Sequence, residues 1–511
     1  MKKQLLLILC AVSLWQFASA QRYSTEIFSD VSVQQNIVYG DNFSVLTGTP
    51  TSVQLKMDVY TPVGDVETSR PVVVMLHTGS FLPAIINQTP TGSMRDSAIV
   101  EMCSRFARRG YVAISADYRT GWNPQAVGSA GQDIRTGSLL QAVYRSILDI
   151  KACVRYIKND VATANTYGID TTKIILGGMG SGGYIALAYA TIQDTADFNL
   201  PKFISSTTNA SYGFVAGSSY VNTGLWGDIE GYGGTPGLNN PNNTPGRSTD
   251  VAFVFNCGGA LGDSSWLRAG DVPMVCFHPV TDPFAPYGDG TVIVPTTGDP
   301  VVDVSGSQTI VTRANALGNN DCFLSATFTD PFTAAADLNN NGQDGLFPFL
   351  FATPQAGPWE WFDSTTTVQV AIALGLGQAA GTQIYQNAKL TNPDMSKAKG
   401  MAYIDTIQGY VNPRMIQCLG LNVGITDLGQ LNQQVSVYPN PSAGAFTVDL
   451  RQVADAVSYI RVADLTGQIV RDLRPDLSGL NPVDAAGLSK GVYTVRVGFS
   501  NGEVVRKVVL Q

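Results

Sequence analysis

Three short apolar runs, separated by helical patterns, constrain this chain more than any other feature. Val72 to Leu76, Tyr111 to Ser115 and Lys173 to Leu176 lack the sustained polar alternation of a half-exposed strand. Each therefore predicts a strand covered on both faces, as in a parallel sheet. Between them, Ser97 to Arg109 reads as a helix closed by Gly110, a residue suited to a helix C-terminus. Leu140, Val143, Ile147, Ile150, Val154 and Ile157 recur at spacings of 3, 4, 3, 4 and 3, the stripe of a long core-facing helix. Tyr184 to Ala190 follows as an apolar helix, and Val251 to Asn256 and Val272 to Phe277 read as two further strands. Strand and helix in this alternation predict a doubly wound, mostly parallel α/β sheet with right-handed crossovers. Ligands of such sheets bind beyond the carboxyl ends of the strands. Upstream, Val53 to Val59 alternates apolar and polar residues until Tyr60-Thr61-Pro62, the mark of half-buried antiparallel strands between Val33 and Tyr60.

The 511 residues are enough for two to four domains, or for one enzyme-sized domain with an appendage. With 44% hydrophobic and 14% charged residues, wholesale disorder and a Glu/Lys-rich coiled coil are excluded. The net charge of −8 (32 − 40) gives no electrostatic footprint for nucleic acid or an anionic membrane. Met1 to Ala20 has Lys2 and Lys3, an apolar run and Ala18-Ser19-Ala20, the pattern of a secretory signal peptide. No other stretch approaches the ~20 apolar residues of a transmembrane segment. Ser205 to Asp250 and Thr291 to Gly357, rich in Gly, Asn, Thr and Pro, are too long for simple connections and predict cap insertions. A last helix is expected from about Ser396 to Leu419. The expected division is residues 1–20 signal, 21–420 α/β domain, 421–434 linker and 435–511 a small β-sandwich.

Lys173-Ile174-Ile175-Leu176-Gly177-Gly178-Met179-Gly180-Ser181-Gly182-Gly183 spells a strand, a glycine turn and a helix start. Here the chain resembles the α/β-hydrolase superfamily, in particular its secreted carboxylesterase and lipase-like branch. His77-Thr78-Gly79-Ser80-Phe81 resembles that branch's H-G-G-G-F loop, Tyr167-Gly168-Ile169-Asp170 its approach to the elbow, and Pro273 to Tyr287 its strand-seven acid motif. The resemblance implies a nucleophile elbow G-x-S-x-G, with triad order Ser, Asp or Glu, His. Counting that pattern onto this chain puts Gly180 at the nucleophile position and Ser181 one residue late. Asp282 matches the acid, but beyond His278 there is no histidine, and the chain has two in all. A serine needs an adjacent base to attack, so two of three triad roles stand unfilled. The expected site residues are Ser181, Asp282 and His278 for any catalysis, Gly79, Ser80 and Ser181 for the oxyanion hole, and His77 bracing or binding beside it. Such donors bind an oxyanion, carboxylate or carbonyl oxygen without turnover.

The remaining motifs are weaker. Asp337-Leu338-Asn339-Asn340-Asn341-Gly342 begins like a calcium loop, but the twelfth position is Pro348 rather than Glu, so a polar turn is expected and no metal or cofactor. Pro358-Trp359-Glu360-Trp361-Phe362-Asp363 is expected to pack a lid or line a pocket. Without Cys10, six cysteines remain; they allow 15 pairings, and buried free thiols are an equal expectation. Residues 435–511 resemble the C-terminal sorting domain of type IX secretion cargo, through Val437-Tyr438-Pro439-Asn440-Pro441, Asp464-Leu465-Thr466-Gly467-Gln468, Gly491-Val492-Tyr493 and Val504 to Leu510. That implies passage through the periplasm to the outside or the cell surface, with the type IX secretion machinery as partner. The expectation is thus an exported protein of α/β-hydrolase fold with an incomplete triad, binding a small ester, acyl or glycan ligand. The competing expectations are a carboxylic-ester hydrolase using Ser181 with His278 or His77 as base, and a surface adhesion or structural protein.

Overall fold

The computed structural model describes residues 22–46, 48–243, 246–294, 297–421, 434–453, 457–476, 479–499 and 502–511. The expected signal segment Met1 to Ala20, nearly all of the expected linker and Asn501 lie outside the described residues. The chain divides into two compact units, one of them Tyr23–Leu421 and the other holding Asn422–Gln511.

Tyr23–Leu421 is built on an eight-stranded sheet. Its members are β1 Val31–Ser44, β2 Thr51–Pro62, β3 Arg70–Leu76, β4 Val112–Ala116, β5 Ile169–Met179, β6 Phe253–Cys257, β7 Met274–Pro279 and β10 Leu346–Phe349. They lie in the order β1-β2-β4-β3-β5-β6-β7-β10. β1 pairs antiparallel with β2 and β2 with β4, and all pairings from β4 onward are parallel. The predicted split is therefore observed: β3, β4, β6 and β7 are buried at every position, whereas β2 opens with partly exposed positions. Helices cover both faces. One core cluster gathers Val72, Val74, Ile147, Ile150, Val154 and Ile185, the other Val73, Met75, Phe106, Ile175, Phe255 and Tyr410. Alternate residues of β3 and β5 feed opposite cores, as the period of two requires.

The principal helices are α1 Ser97–Arg108, α2 Gly131–Thr163, α3 Ser181–Thr191, α4 Ser307–Ala316, α5 Ser364–Ala373, α6 Gln378–Leu390 and α7 Lys397–Cys418. Two departures from the sequence reading concern the second expected cap. Thr291 to Gly357 is not all cap: it contains α4 and the sheet's outermost strand β10, paired with Cys276 to Pro279. Four apolar residues including Pro348 carry no period, and proline is tolerated there because β10 is an edge strand. The hairpin β8 Asp289–Ile293 and β9 Pro300–Ser305 also falls largely in that segment. Ser205 to Asp250, by contrast, is turn-rich, and it buries Phe214, Tyr220 and Trp226 in the first core.

Cys322 and Cys418 form a disulfide, and Cys103, Cys153, Cys257 and Cys276 are buried free thiols. At the calcium-like stretch the side chains serve the turn itself: Asn340 donates to Asp337 at 3.2 Å and accepts from Gly342 N–H at 2.9 Å. The second unit has strands β11 Ser436–Tyr438, β12 Ala445–Asp449, β13 Val457–Ala463, β14 Ile469–Leu473, β15 Leu480–Asp484, β16 Gly491–Phe499 and β17 Gly502–Leu510. They form two antiparallel sheets of order β11-β12-β15 and β14-β13-β16-β17, enclosing Phe446, Val448, Ile460, Val462, Val495 and Val508. Asp464 accepts from Thr466 and Gln468 N–H across the turn at Thr466-Gly467. Among the described residues no helix is long and apolar enough to cross a membrane.

Candidate functional site

The carboxyl ends of β3, β5 and β7 converge on the turn between β5 and α3. Gly180 stands at its apex with φ 51° and ψ −118°, a combination that strains any residue with a Cβ. Its N–H donates to Cys257 O at 2.8 Å, and its carbonyl accepts from Gly183 and Tyr184. The turn is so tight that a Cβ on Gly178 would lie 2.0 Å from Gly182 O. Only glycine at 178 permits that approach.

The space outside Gly180 is not vacant. A Cβ built there would lie 2.3 Å from Thr78 Oγ1 and 3.1 Å from Thr78 Cβ. Thr78 occupies the first glycine position of the H-G-G-G-F-like loop, so the chain carries a hydroxyl where a nucleophile side chain would project. Gly79 and Ser80 follow with φ of 126° and 54°. Among the described residues, no acceptor binds the backbone N–H groups of Gly79, Ser80 or Ser181. Ser181 N–H belongs to the first turn of α3, where helix dipole and free donors favour an anionic oxygen.

The Ser181 side chain points elsewhere. It is buried, and its Oγ lies 3.0 Å from Tyr118 Oη. Tyr118 Oη donates to His77 O at 2.7 Å. Its single proton is thereby used, so Ser181 donates to the phenol oxygen. Burial also holds the Tyr118 phenol well above its usual range, which removes it as a base.

Both imidazoles are committed. His77 Nδ1 lies 2.5 Å from Thr78 O and Nε2 3.1 Å from Asp117 Oδ1. Both partners accept, so both ring nitrogens carry protons and the ring is cationic beside ionised Asp117. Burial opposes that charge, but the Asp117 hydrogen bond and charge outweigh it and raise the His77 pKa. The ring stacks on Tyr118 at a centroid distance of 4.4 Å. His278 is the reverse case: its Nε2–H donates to Ala285 O at 3.0 Å, and its Nδ1 accepts from Ser307 Oγ at 2.7 Å. Burial lowers its pKa to about 4, so it is neutral.

Asp282 sits just beyond β7, and one carboxylate oxygen accepts from Phe284 and Ala285 N–H at 2.7 and 3.1 Å. It hydrogen-bonds neither imidazole. Burial pushes its pKa up to about 7, against the pull of those two N–H groups. The loop after β10, where the superfamily has its base, brings Trp359 and Glu360. A Cβ on Gly258 would touch Trp359 at 3.2 Å and Asp282 Oδ2 at 3.6 Å, so indole and carboxyl share that corner. Burial first, and then the charge of Asp96, push Glu360 up to about 8. Ser181 and His77 are thus joined through Tyr118, whereas Asp282 and His278 meet only through the Asp282 to Ala285 turn.

Sequence reasoning missed Thr78, Tyr118, Asp117 and Glu360. Thr78 was visible as a departure from a glycine position, and Asp117-Tyr118 as polar residues at the end of a buried strand. Among the described residues no group of three or more His, Cys, Asp and Glu is arranged to hold a metal ion.

Strand order, elbow and loop together define an α/β-hydrolase fold, followed by a separate β-sandwich unit. Residues 57–216 match the BD-FAE family, and residues 436–511 match the secretion system C-terminal sorting domain. The chain joins an esterase-like α/β-hydrolase domain to a type IX sorting domain. Similar solved structures include a thermophilic esterase from Thermogutta terrifontis with bound propionate. Its identity is 18%, covering 70% of this chain and 98% of that one, with a TM-score of 0.35. Esterase 2 of the same organism, phosphorylated by paraoxon, is 17% identical over 68% of this chain and 96% of that one, with a TM-score of 0.34. No curated protein matches the chain in sequence.

Proposed function

We propose that this chain is an exported α/β-hydrolase-fold protein that binds a small ester, acyl or glycan ligand at its elbow and does not hydrolyse it. The observation that carries this reading is Gly180 at the apex of the elbow, with the Thr78 hydroxyl 2.3 Å from where a Cβ would stand. A covalent route needs a nucleophile with a base in hydrogen-bond reach. Gly180 offers no nucleophile, Ser181 donates to Tyr118, and the hydrogen bonds of His77 and His278 run to other partners. What the site retains is donors: N–H groups at Gly79, Ser80 and Ser181 suited to a carbonyl or carboxylate oxygen. Met1 to Ala20 would direct export to the periplasm, and the C-terminal unit would then engage the type IX machinery and be removed on release or surface attachment.

One observation favours a second reading, an active carboxylic-ester hydrolase. Glu360 and Asp282 have raised pKa values of about 8 and about 7, within the range of a working general acid or base. Short-chain nitrophenyl esters and a fluorophosphonate probe separate the two. Binding without turnover predicts no labelling and no ester cleavage above buffer. Labelling abolished by Ser181→Ala, or cleavage abolished by Glu360→Gln, would overturn it.

A further inference from the structure

A cavity of about 370 Å³ lies between the segment Thr89 to Ser97 and the α5–α6 hairpin, and its lining residue Gly92 packs on Gly79 of the loop after β3. That volume is in the range of small-molecule sites. One wall is apolar: Val370, Leu374, Leu376 and Ile384 from the hairpin, with Trp361 and Phe362 at its base. Val370 and Leu374 are 49% and 40% exposed, so the wall faces open space rather than a neighbouring element. The charged lining residues are Arg95, Asp96 and Asp363. Arg95 is already consumed, its Nε and Nη2 on the Asp58 carboxylate at 2.7 and 3.0 Å. Asp96 receives only backbone N–H groups, from Gly92 and Ser93, and Asp363 likewise takes Thr366 N–H at 2.8 Å together with its hydroxyl. The lining therefore combines an aliphatic wall, two aromatic rings and two carboxylates without a cationic hydrogen-bond partner, Asp96 lying within reach of the His77 charge.

We propose that this cavity binds a cationic amphiphile, an alkyl or aryl amine whose apolar body lies on the α5–α6 wall and whose ammonium faces Asp96 and Asp363. The charge complementarity decides between occupants. A fatty carboxylate of the same length would bring its anion against Asp96, whereas an ammonium is attracted by both carboxylates. The proposal does not require that the elbow be inactive, so ester cleavage or labelling at the elbow and amine binding in this cavity are tested separately.

The test is calorimetric titration of the full chain at pH 7 with octylammonium, octanol and octanoate. Octylammonium is expected to bind about tenfold more tightly than octanol, with octanoate weakest. Asp96→Asn and Asp363→Asn keep an acceptor for the same N–H groups, and together they are expected to bring octylammonium to the level of octanol. Val370→Trp, at a half-exposed position that leaves the core intact, is expected to fill the cavity and abolish binding of all three. Equal affinity for the three probes, or octylammonium binding that survives Val370→Trp, would overturn the proposal.

Discussion

Restoring a serine at the elbow tests whether Thr78 and Gly180 are physically coupled. In Gly180→Ser the new Cβ lies 2.3 Å from Thr78 Oγ1, far inside a van der Waals contact. Rotating Thr78 about χ1 moves the hydroxyl but leaves Thr78 Cβ 3.1 Å away, and a β-branched residue has few rotamers to offer. The overlap is worth about 1–3 kcal/mol as overpacking. The backbone at φ 51° and ψ −118° adds a strain of about 1–3 kcal/mol once a side chain is present. Gly180→Ser alone should therefore destabilise the protein by about 2–6 kcal/mol. Thr78→Gly should relieve the overlap but not the strain, so the double variant should recover about 1–3 kcal/mol relative to the sum of the single changes. Urea unfolding of the four proteins measures the cycle. The same four, treated with a fluorophosphonate, should remain unlabelled, because neither imidazole is free to activate the introduced hydroxyl. Additive single changes would show that Thr78 does not occupy the nucleophile's space. Rapid labelling of the double variant would show that a base is within reach after all.

Further outcomes concern titration and staples. His278 is neutral in the fold with a pKa near 4 against about 6.5 when exposed, so its contribution is present above pH 6.5 and is lost as pH falls toward 4. Stability of the wild type relative to His278→Gln should drop by about 3 kcal/mol across that window in urea titrations. Glu360 has the opposite sign: its folded pKa of about 8 makes ionisation a penalty that grows as pH rises from 4.5. Glu360→Gln should thus gain stability over the wild type between pH 5 and 9, and a flat difference would refute the burial assigned to this carboxyl. Asp149→Ala strips the partner from buried Arg119, which Asp149 Oδ1 meets at 2.8 Å. It should cost about 3–5 kcal/mol in chemical unfolding. Cys322→Ser opens a disulfide spanning 96 residues, and thermal melts should show a loss of about 2–4 kcal/mol.

The sheet was legible where its pattern is local. Val72 to Leu76 is apolar at every position because β3 lies mid-sheet, and α2 shows its stripe because one face packs on that sheet. β10 was not legible: Leu346 to Phe349 becomes a strand only by pairing with β7, some 70 residues earlier in the chain. α5 was hidden too. Its sequence STTTVQVAIA is rich in β-branched residues of modest helix propensity, and its start rests on Asp363 accepting from Thr366 N–H. At the site, the glycine spacing around the elbow was readable as a motif. The Thr78–Gly180 contact was not, because residues 102 positions apart meet only after β3 and β5 have paired (180 − 78 = 102). The protonation of His77 likewise depends on Asp117 arriving from the end of β4, a neighbour given by sheet order alone.

The frame of this fold and its chemistry are specified by different atoms. The elbow is held by backbone contacts: Gly180 N–H on Cys257 O, Gly183 N–H on Gly180 O, and Gly178 lying against Gly182. None of these contacts involves a side chain at position 180, so the turn forms whether or not a hydroxyl projects from it. The family match covers residues 57–216, which contain β2 to β5, the H-G-G-G-F-like loop and the elbow itself. His278, Asp282 and Glu360, the candidate bases and acids other than His77, all lie beyond that stretch. Similarity over the matched segment therefore reports the frame, and the reaction has to be argued from individual side chains, Thr78, His77 and Ser181 inside it and these three beyond it. Those side chains give a neutral imidazole whose acceptor nitrogen is taken by Ser307 and two carboxyls with raised pKa values, an arrangement that leaves the elbow's Ser181 bonded to Tyr118 with no ring nitrogen to receive its proton.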